Sequence, residues 1–205
     1  MGHQDRITAA AFSPDGQLVA TGSLDHTARI WSTTDGANVG TLVGHTGALT
    51  VLAFSPDGQS LLTGSRDGTV RIWSVAGGLE SAVLRGHDGA VDSAQFSPNG
   101  LYVVTASSKD RTVRLWATQS GRQIAVLGSH DEATVLLGFT RAAFSSDGAR
   151  VAIVAGEKSV RIVRVFQAPK DLIDFARRTV PRELTACERR SFFLPADPAT
   201  GTCPG

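Results

Sequence analysis

The feature that most constrains the fold is an internal repeat with a period of 42 residues. The pentapeptide Phe-Ser-Pro-Asp-Gly, or a close variant of it, begins at Phe12, Phe54, Phe96 and Phe144. Gly-His pairs keep the same spacing and begin at Gly2, Gly44 and Gly86. Repeats of this length indicate supersecondary units that bury their apolar faces on their neighbours. We therefore divide the chain into four units, at about 2–43, 44–85, 86–128 and 129–166.

Each unit has the pattern of successive β-strands, as the second unit illustrates. Its apolar run from 49 to 54 ends at Ser-Pro-Asp-Gly, in which proline and glycine favour a turn. A second extended run at 60–63 is followed by a tight-turn signal at 66–68. Residues 70–74 then alternate with the two-residue period of a strand with distinct faces. The pattern predicts three strands and a fourth in each unit, and therefore an all-β fold.

A unit with a Gly-His pair, an aspartate turn and a tryptophan on its third strand resembles the WD repeat of β-propellers. The resemblance covers about residues 2–166, although the aspartate of the eponymous Trp-Asp pair is replaced in Trp31-Ser32, Trp73-Ser74 and Trp116-Ala117. It implies a partial, about four-bladed WD-type β-propeller. It also implies a protein-interaction scaffold or sensor that acts in signal transduction.

Histidine, threonine and aspartate recur in the first three units, and together they could be mistaken for a hydrolase triad. The resemblance implies instead that they form a buried network with the tryptophan, which would give each buried polar group a partner. Because the set repeats and no Gly-x-Ser-x-Gly elbow occurs, we expect no enzyme activity. The predicted network residues are His3, Thr21, Asp25 and Trp31; His45, Thr63, Asp67 and Trp73; and His87, Thr105, Asp110 and Trp116.

The fourth unit departs from this pattern. Ile153, Glu157 and Val163 stand where the other units have threonine, aspartate and tryptophan, and only His130 remains. Terminal repeats are often atypical because they face something other than a standard neighbour. We therefore expect this unit to pack against the C-terminal tail.

The tail at 167–205 changes from strand to helical periodicity. Helices are predicted at about 170–180, where early aspartates and late arginines complement the helix dipole, and at 186–191, after a capping box, with a disordered end. Segments such as 171–173 and 182–185 resemble the C-terminal ending of large bacterial WD-repeat signalling proteins. That resemblance implies that this chain is the recognition portion of such a protein, downstream of an effector domain.

Composition restricts the partners. The formal net charge of +1 gives no reason to expect nucleic acid or an acidic membrane surface. No apolar run reaches the roughly 18 residues of a membrane span and no signal core follows the N-terminus, so a cytoplasmic location is expected. Neither a metal nor another cofactor is expected, because no phosphate loop or zinc spacing occurs. The recurring third-strand arginines, Arg29, Arg71, Arg114 and Arg161, are predicted to face solvent on separate edges.

The resemblance also implies that a partner protein binds the loops at one rim of the propeller. The positions concerned are the residue before each turn aspartate, and the third and fifth residues after each Gly-His pair. They are Leu24, Arg66 and Lys109, with Arg6, Thr8, Ala48, Thr50, Ala90 and Asp92. The sequence does not identify the partner.

Two further hypotheses stay open. Blades suited to seven-fold closure turn by roughly 50° each, so four would cover little more than half a circle. The chain would then be a fragment joined to upstream blades or a short gene product, or a structural element that self-associates into an eight-bladed ring. The least favoured alternative is a propeller hydrolase, which would need a unique polar cluster at the axis.

Overall fold

The computed structural model describes residues 2–129, 141–155 and 159–165, which form four antiparallel sheets without a helix. The first sheet contains β1 (Ile7–Phe12), β2 (Leu18–Ser23), β3 (Thr27–Ser32) and β4 (Asn38–Val43). The second contains β5 (Leu49–Phe54), β6 (Ser60–Ser65), β7 (Val70–Ser74) and β8 (Glu80–Leu84). The third contains β9 (Ser93–Phe96), β10 (Tyr102–Ser107), β11 (Thr112–Ala117) and β12 (Gln123–Ser129). The fourth contains β13 (Arg141–Phe144), β14 (Arg150–Ala155) and β15 (Ser159–Arg164).

Neighbouring strands in each sheet are consecutive in sequence, as in the blades of a propeller. The predicted all-β, about four-bladed partial propeller is therefore confirmed. The predicted helices at 170–180 and 186–191, the predicted disordered end, His130 and Glu157 lie outside the described residues.

The Ser-Pro-Asp-Gly segments form the turns between the first two strands of each sheet. In the first sheet the Ser13 hydroxyl donates to Asp15 Oδ1 at 2.5 Å, and the same oxygen accepts the Gln17 N–H at 3.0 Å. Gly16 has φ of +71°, a conformation that glycine adopts without steric cost. The corresponding turns of the other sheets also have a serine that donates to the side chain two residues later. Local chemistry therefore fixes each turn.

The sheets pack in succession, with β1 against β5, β5 against β9 and β9 against β13. We call the face that a sheet turns toward the preceding sheet its back face and the opposite one its front face. The front face of the first sheet presents the buried residues Ala20, Ala28, Ile30 and Leu42 to Leu49, Leu52, Leu61 and Trp73 on the back face of the second. The front face of the second sheet presents Leu62, Val70, Ile72 and Leu84 to Val91, Ala94, Phe96, Val103 and Trp116 on the back face of the third. The apolar core thus lies between the sheets.

Candidate functional site

The second sheet brings its predicted polar set together in one hydrogen-bonded network. The Trp73 indole N–H donates to Thr63 Oγ1 at 2.9 Å, and that oxygen lies 2.8 Å from His45 Nε2. His45 Nδ1 lies 2.8 Å from Asp67 Oδ2. Since the indole can only donate, the hydroxyl is free to donate to Nε2, which leaves the proton of a neutral His45 on Nδ1, facing the carboxylate. One arrangement of protons thus satisfies all four side chains.

The first and third sheets repeat this geometry. His3 Nε2 lies 2.8 Å from Thr21 Oγ1, and His87 Nε2 lies 2.7 Å from Thr105 Oγ1. The three histidine side chains are each 2% exposed and their aspartates 7–8%. The remaining distances in these two networks are 2.9 Å for His3–Asp25, 2.8 Å for His87–Asp110, 2.7 Å for Trp31–Thr21 and 2.8 Å for Trp116–Thr105.

A second threonine, which the sequence reasoning missed, completes each network. The Thr69 hydroxyl donates to Asp67 Oδ1 at 2.7 Å, and its backbone N–H donates to the same oxygen at 2.8 Å. Thr27 and Thr112 make the corresponding bonds to Asp25 and Asp110. The recurring spacing Asp-x-Thr was the signal that could have revealed them.

In the second and third sheets the network shifts the pKa values of its titratable groups in the direction that favours neutral histidine and ionised aspartate. Burial lowers the pKa of His45 and of His87 below 6.5, and outweighs the opposing attraction of Asp67 and Asp110. Burial alone would raise the pKa of Asp67, but hydrogen bonds from Thr69, His45 and backbone N–H groups lower it to about 2. The pKa values of Asp25 and Asp110 are lowered in the same way.

In this arrangement the network threonine is not an exposed nucleophile. The hydroxyl of Thr63, which is wholly buried, is engaged by both His45 and Trp73. A hydrolase needs its nucleophile accessible beside a pocket for the substrate. The geometry instead joins four places of one sheet: the loop before β5, strand β6, the turn between β6 and β7, and strand β7.

The fourth sheet has apolar residues where the others have the network. Ile153, at the position of Thr63, is 0% exposed, and Val163 takes the position of Trp73. The buried Val151 and Ala142 face the third sheet beside Ile153. Among the residues that the structure describes, this centre is filled by apolar packing.

One extra residue in the turn of the third sheet rearranges its polar contacts. In the second sheet Ser65 Oγ donates to Gly47 O at 2.9 Å and accepts the Asp67 N–H at 3.1 Å. The corresponding Ser107 Oγ is buried and has no partner among the described residues. The next residue, Ser108, instead donates its N–H and hydroxyl to Asp92 Oδ2, at 2.6 and 2.5 Å.

The prediction that the third-strand arginines face solvent was wrong for Arg71 and Arg114, whose side chains are 14% and 18% exposed. Arg71 forms an ion pair with Glu80 on the adjacent strand, and Arg114 Nη1 donates to Gln123 Oε1 at 2.8 Å. A Cβ built on Gly44 would lie 2.8 Å from Arg71 Nη1 and 3.0 Å from Trp73 Cη2. The guanidinium is therefore covered by the glycine of the Gly-His pair.

The predicted rim residues lie at one end of the sheets, and they differ in how much of their side chains is exposed. Thr8 and Thr50 are near the starts of β1 and β5, and the others are in loops and turns. The Arg66 N–H donates to Ala48 O at 2.9 Å, and the Leu24 N–H donates to Arg6 O at 2.9 Å. These bonds join the turn between the second and third strands of a sheet to the loop before its first strand. Arg6, Thr8, Arg66 and Lys109 are exposed, whereas Leu24, Thr50, Ala90 and Asp92 are half-buried.

Three of the rim side chains have structural contacts. Thr8 and Thr50 donate their hydroxyls to the carbonyls of Leu49 and Val91 in the following sheets, at 2.7 and 2.5 Å, and Asp92 accepts from Ser108. Ala48 is only 8% exposed, so its side chain has almost no surface for a partner. The accessible part of the predicted surface is centred on Arg6, Arg66 and Lys109.

Comparison with known proteins agrees with this architecture. The family model of the WD domain, G-beta repeat, matches residues 1–32, 36–74 and 78–117, together more than half of the chain. The chain belongs to the WD40-repeat family, whose propeller domains are generally non-enzymatic scaffolds for protein interaction.

Two relatives illustrate the match. The crystal structure of the computationally designed Ika4 protein is similar with a TM-score of 0.69 and 27% identity, over 80% of this chain and 94% of that one. Protein Mut11 of Chlamydomonas reinhardtii is 48% identical over 40 residues, which is 20% of this chain. The matched segment spans only 11% of the length of Mut11.

Two kinds of feature do not occur in the described part of the chain. No cluster of histidine, cysteine, aspartate and glutamate there is suited to hold a metal ion. No helix in the same residues is long and apolar enough to cross a membrane.

Proposed function

We propose that this chain is a protein-binding module, not an enzyme, and that it binds its partner through the loop rim around Arg6, Arg66 and Lys109. The observation that carries the proposal is a contrast within the repeats. The network residues are the same in three sheets, whereas the residue before each turn aspartate changes from Leu24 to Arg66 to Lys109. Repetition suits a structural role, and variation on exposed loops suits recognition.

The charge of this rim favours a partner with an acidic contact surface. Arg66 is exposed and forms no ion pair with any residue that the structure describes. Lys109 Nζ lies 3.6 Å from Asp88 Oδ1, but both side chains are largely exposed, at 68% and 93%. Exposed pairs of this kind contribute little and exchange readily with a partner's carboxylates. In line with the resemblance of the tail, the module would be the cytoplasmic recognition portion of a larger bacterial signalling protein.

The test is charge reversal at the rim. Immobilised wild-type protein and the R66E/K109E variant are incubated with an extract of the source cells, and the retained proteins are compared by mass spectrometry. We expect the double variant to lose the proteins that the wild type retains, and to keep the same midpoint of thermal unfolding, because both side chains are exposed.

The matched control is R122E, a charge reversal on an exposed arginine that follows β11 at the opposite end of the third sheet. This variant should retain the same proteins as the wild type. Binding that survives R66E/K109E and disappears in R122E would show that the contact surface lies at the other end of the sheets.

A further inference from the structure

The turn between the first two strands of the third sheet differs from the corresponding turns by one side-chain group. It carries an asparagine, Asn99, where the first, second and fourth sheets carry an aspartate. The next residue in all four turns is glycine, and Gly100 has φ of +71°. The chain has one other asparagine, Asn38, which begins β4 and is followed by Val39. Asn99 is therefore the only asparagine of this sequence that precedes a glycine.

An asparagine before a glycine can convert its own side chain. The backbone nitrogen of the glycine loses its proton to base and attacks the side-chain carbon Cγ of the asparagine. The Cγ–Nδ2 bond then breaks, and the amide nitrogen takes up a proton and leaves as ammonia. Glycine favours this ring closure because it has no Cβ and its backbone adopts many conformations.

Water completes the reaction by opening the cyclic imide. Attack of water at Cγ gives aspartate in a normal main chain, and attack at the backbone carbonyl carbon gives isoaspartate. In both cases one amide and one water become one carboxylic acid and one ammonia. No other reactant is needed, so solvent access and the freedom of the glycine nitrogen determine the rate.

The hydrogen bonds of the closed turn hold both reacting groups. Ser97 Oγ donates to Asn99 Oδ1 at 2.7 Å, and the Leu101 N–H donates to the same oxygen at 3.1 Å. The Gly100 N–H donates to Ser97 O at 2.8 Å. A backbone N–H loses its proton to base only when its hydrogen bond opens, as in hydrogen exchange. The closed turn therefore blocks the first step, although Asn99 itself is exposed to water.

The aspartate product fits the turn as it stands. In the other three sheets an aspartate accepts from a serine hydroxyl and from the backbone N–H two residues later, as Asn99 does. The serine hydroxyl is the main cause that lowers the pKa of Asp15, Asp57 and Asp147 below the ordinary value of aspartate. A carboxylate accepts such bonds more strongly than an amide oxygen does.

We propose that Asn99 is a site of spontaneous deamidation in this chain, and that Ser97 controls its rate by holding the turn closed. Ser97 is wholly buried, and besides its bonds to Asn99 and Gly100 its hydroxyl accepts the Tyr102 N–H at 2.9 Å. Opening of this turn frees the Gly100 nitrogen while Asn99 stays in contact with water. The turn lies at the end of the sheets opposite to the loop rim, and the proposal does not depend on the proposed rim function.

The two asparagines can be compared within the same molecule. Trypsin, which cleaves after lysine and arginine, places Asn38 in the peptide 30–66 and Asn99 in the peptide 86–109, each with a single asparagine. The natural chain is incubated in mildly alkaline buffer, with and without guanidinium chloride. The acid forms at both positions are then quantified over time by mass spectrometry of the two peptides.

The expected rates separate the local sequence from the fold. In denaturant, Asn99 should convert many times faster than Asn38, because the branched Val39 obstructs ring closure and Gly100 does not. In the folded chain, Asn99 should convert at least about tenfold more slowly than in denaturant, because the closed turn holds the Gly100 proton.

The role of Ser97 is tested by S97A, with S13A as the matched control. Ser13 makes the same bonds in the first sheet, to Asp15 Oδ1 at 2.5 Å and from the Leu18 N–H at 2.9 Å, and the second sheet separates it from Asn99. We expect S97A to raise the conversion rate at Asn99 in the folded chain about tenfold, and S13A to leave it unchanged.

Three results would overturn the proposal. They are conversion of Asn99 no faster than that of Asn38 in denaturant, equal rates at Asn99 with and without denaturant, and equal acceleration by S97A and S13A. The first two comparisons use only the natural chain, so they decide even if S97A does not fold.

Discussion

The second and fourth sheets have similar strand arrangements and opposite chemistry at their centres. The second places Thr63, Trp73 and their histidine–aspartate pair between strands, whereas the fourth fills the same positions with Ile153 and Val163. Both centres exclude water, since Thr63 and Ile153 are each 0% exposed. The complete polar network is therefore not needed to form a sheet of this kind. Its specific contribution is to bind the Gly-His loop to the turn that carries Asp67, and so to fix the rim.

The largest expected effect comes from removing the carboxylate that holds the loop and the turn together. Asp67 accepts hydrogen bonds from His45, from both donors of Thr69 and from the Thr46 N–H. D67A would leave several of these donors unpaired, and we expect it to lower the free energy of unfolding by about 3 kcal/mol or more. Urea unfolding followed by tryptophan fluorescence measures the change.

D57A is the matched control for D67A, because Asp57 is an exposed aspartate that accepts from Ser55 and the Gln59 N–H in a turn at the other end of the sheet. Its cost should stay near 1 kcal/mol, the typical value of a local cap or turn bond. Equal costs for D67A and D57A would show that the network contributes no more than a surface turn.

A smaller effect on stability is expected from exchanging the residue types at the centres of the second and fourth sheets. T63V keeps the shape of Thr63 but removes the acceptor of the Trp73 indole and the donor to His45, and I153T places an unpartnered hydroxyl in an apolar site. We expect each to lower the free energy of unfolding by about 2 kcal/mol. If either substitution were neutral in urea unfolding, the two centres would be chemically interchangeable.

The smallest effect is a dependence of the folding stability on pH. The described residues of the fourth sheet do not contribute to it. The pKa values of His45 and His87 in the folded chain lie below 6.5, the ordinary value of histidine. The unfolded chain therefore takes up protons first as the pH falls, and folding loses stability below pH 6.5. Between pH 6.5 and 5.5 we expect a loss of about 1–2 kcal/mol, since each histidine contributes at most about 1.4 kcal/mol per pH unit.

Urea midpoints at several pH values measure this loss. The H45Q/H87Q variant, which is less stable but does not titrate at these two positions, should show a flatter profile in the same range. A profile as steep as that of the wild type would place the pH dependence elsewhere.

The sheets could be predicted well from the sequence, because the same pattern of strands and turns recurs several times along the chain. The spacing of Phe12, Phe54 and Phe96 gave the period, and the Ser-Pro-Asp-Gly segments marked turns whose hydrogen bonds are local. The structure differs from expectation where a contact depends on another strand or sheet. Arg71 was predicted to face solvent on a separate edge, but Glu80 and Gly44 cover it.

In the candidate site, too, local patterns were visible in the sequence, whereas contacts that depend on another segment were not. The Asp-x-Thr spacing was visible in the sequence, although its meaning depends on Thr69 folding back onto Asp67. The unpartnered hydroxyl of Ser107 could not be predicted, because one extra turn residue transfers the bonding role to Ser108 and Asp92. Ala48 resembled its rim neighbours in position, and only the packed loop shows that its side chain is covered.

The pairing of branched back-face residues with side-chain-free front-face residues gives the molecule a polarity. Leu49 on Gly22 and Val91 on Gly64 are oriented the same way along the chain, so each unit can be followed by a copy of itself but cannot be stacked in reverse. A gene segment of 42 codons duplicated in place would therefore produce a new unit that already fits both neighbours. Duplication of the first or second unit thus needs no compensating substitution, whereas a copy placed after the fourth sheet would meet Val154 where the other sheets have glycine or alanine.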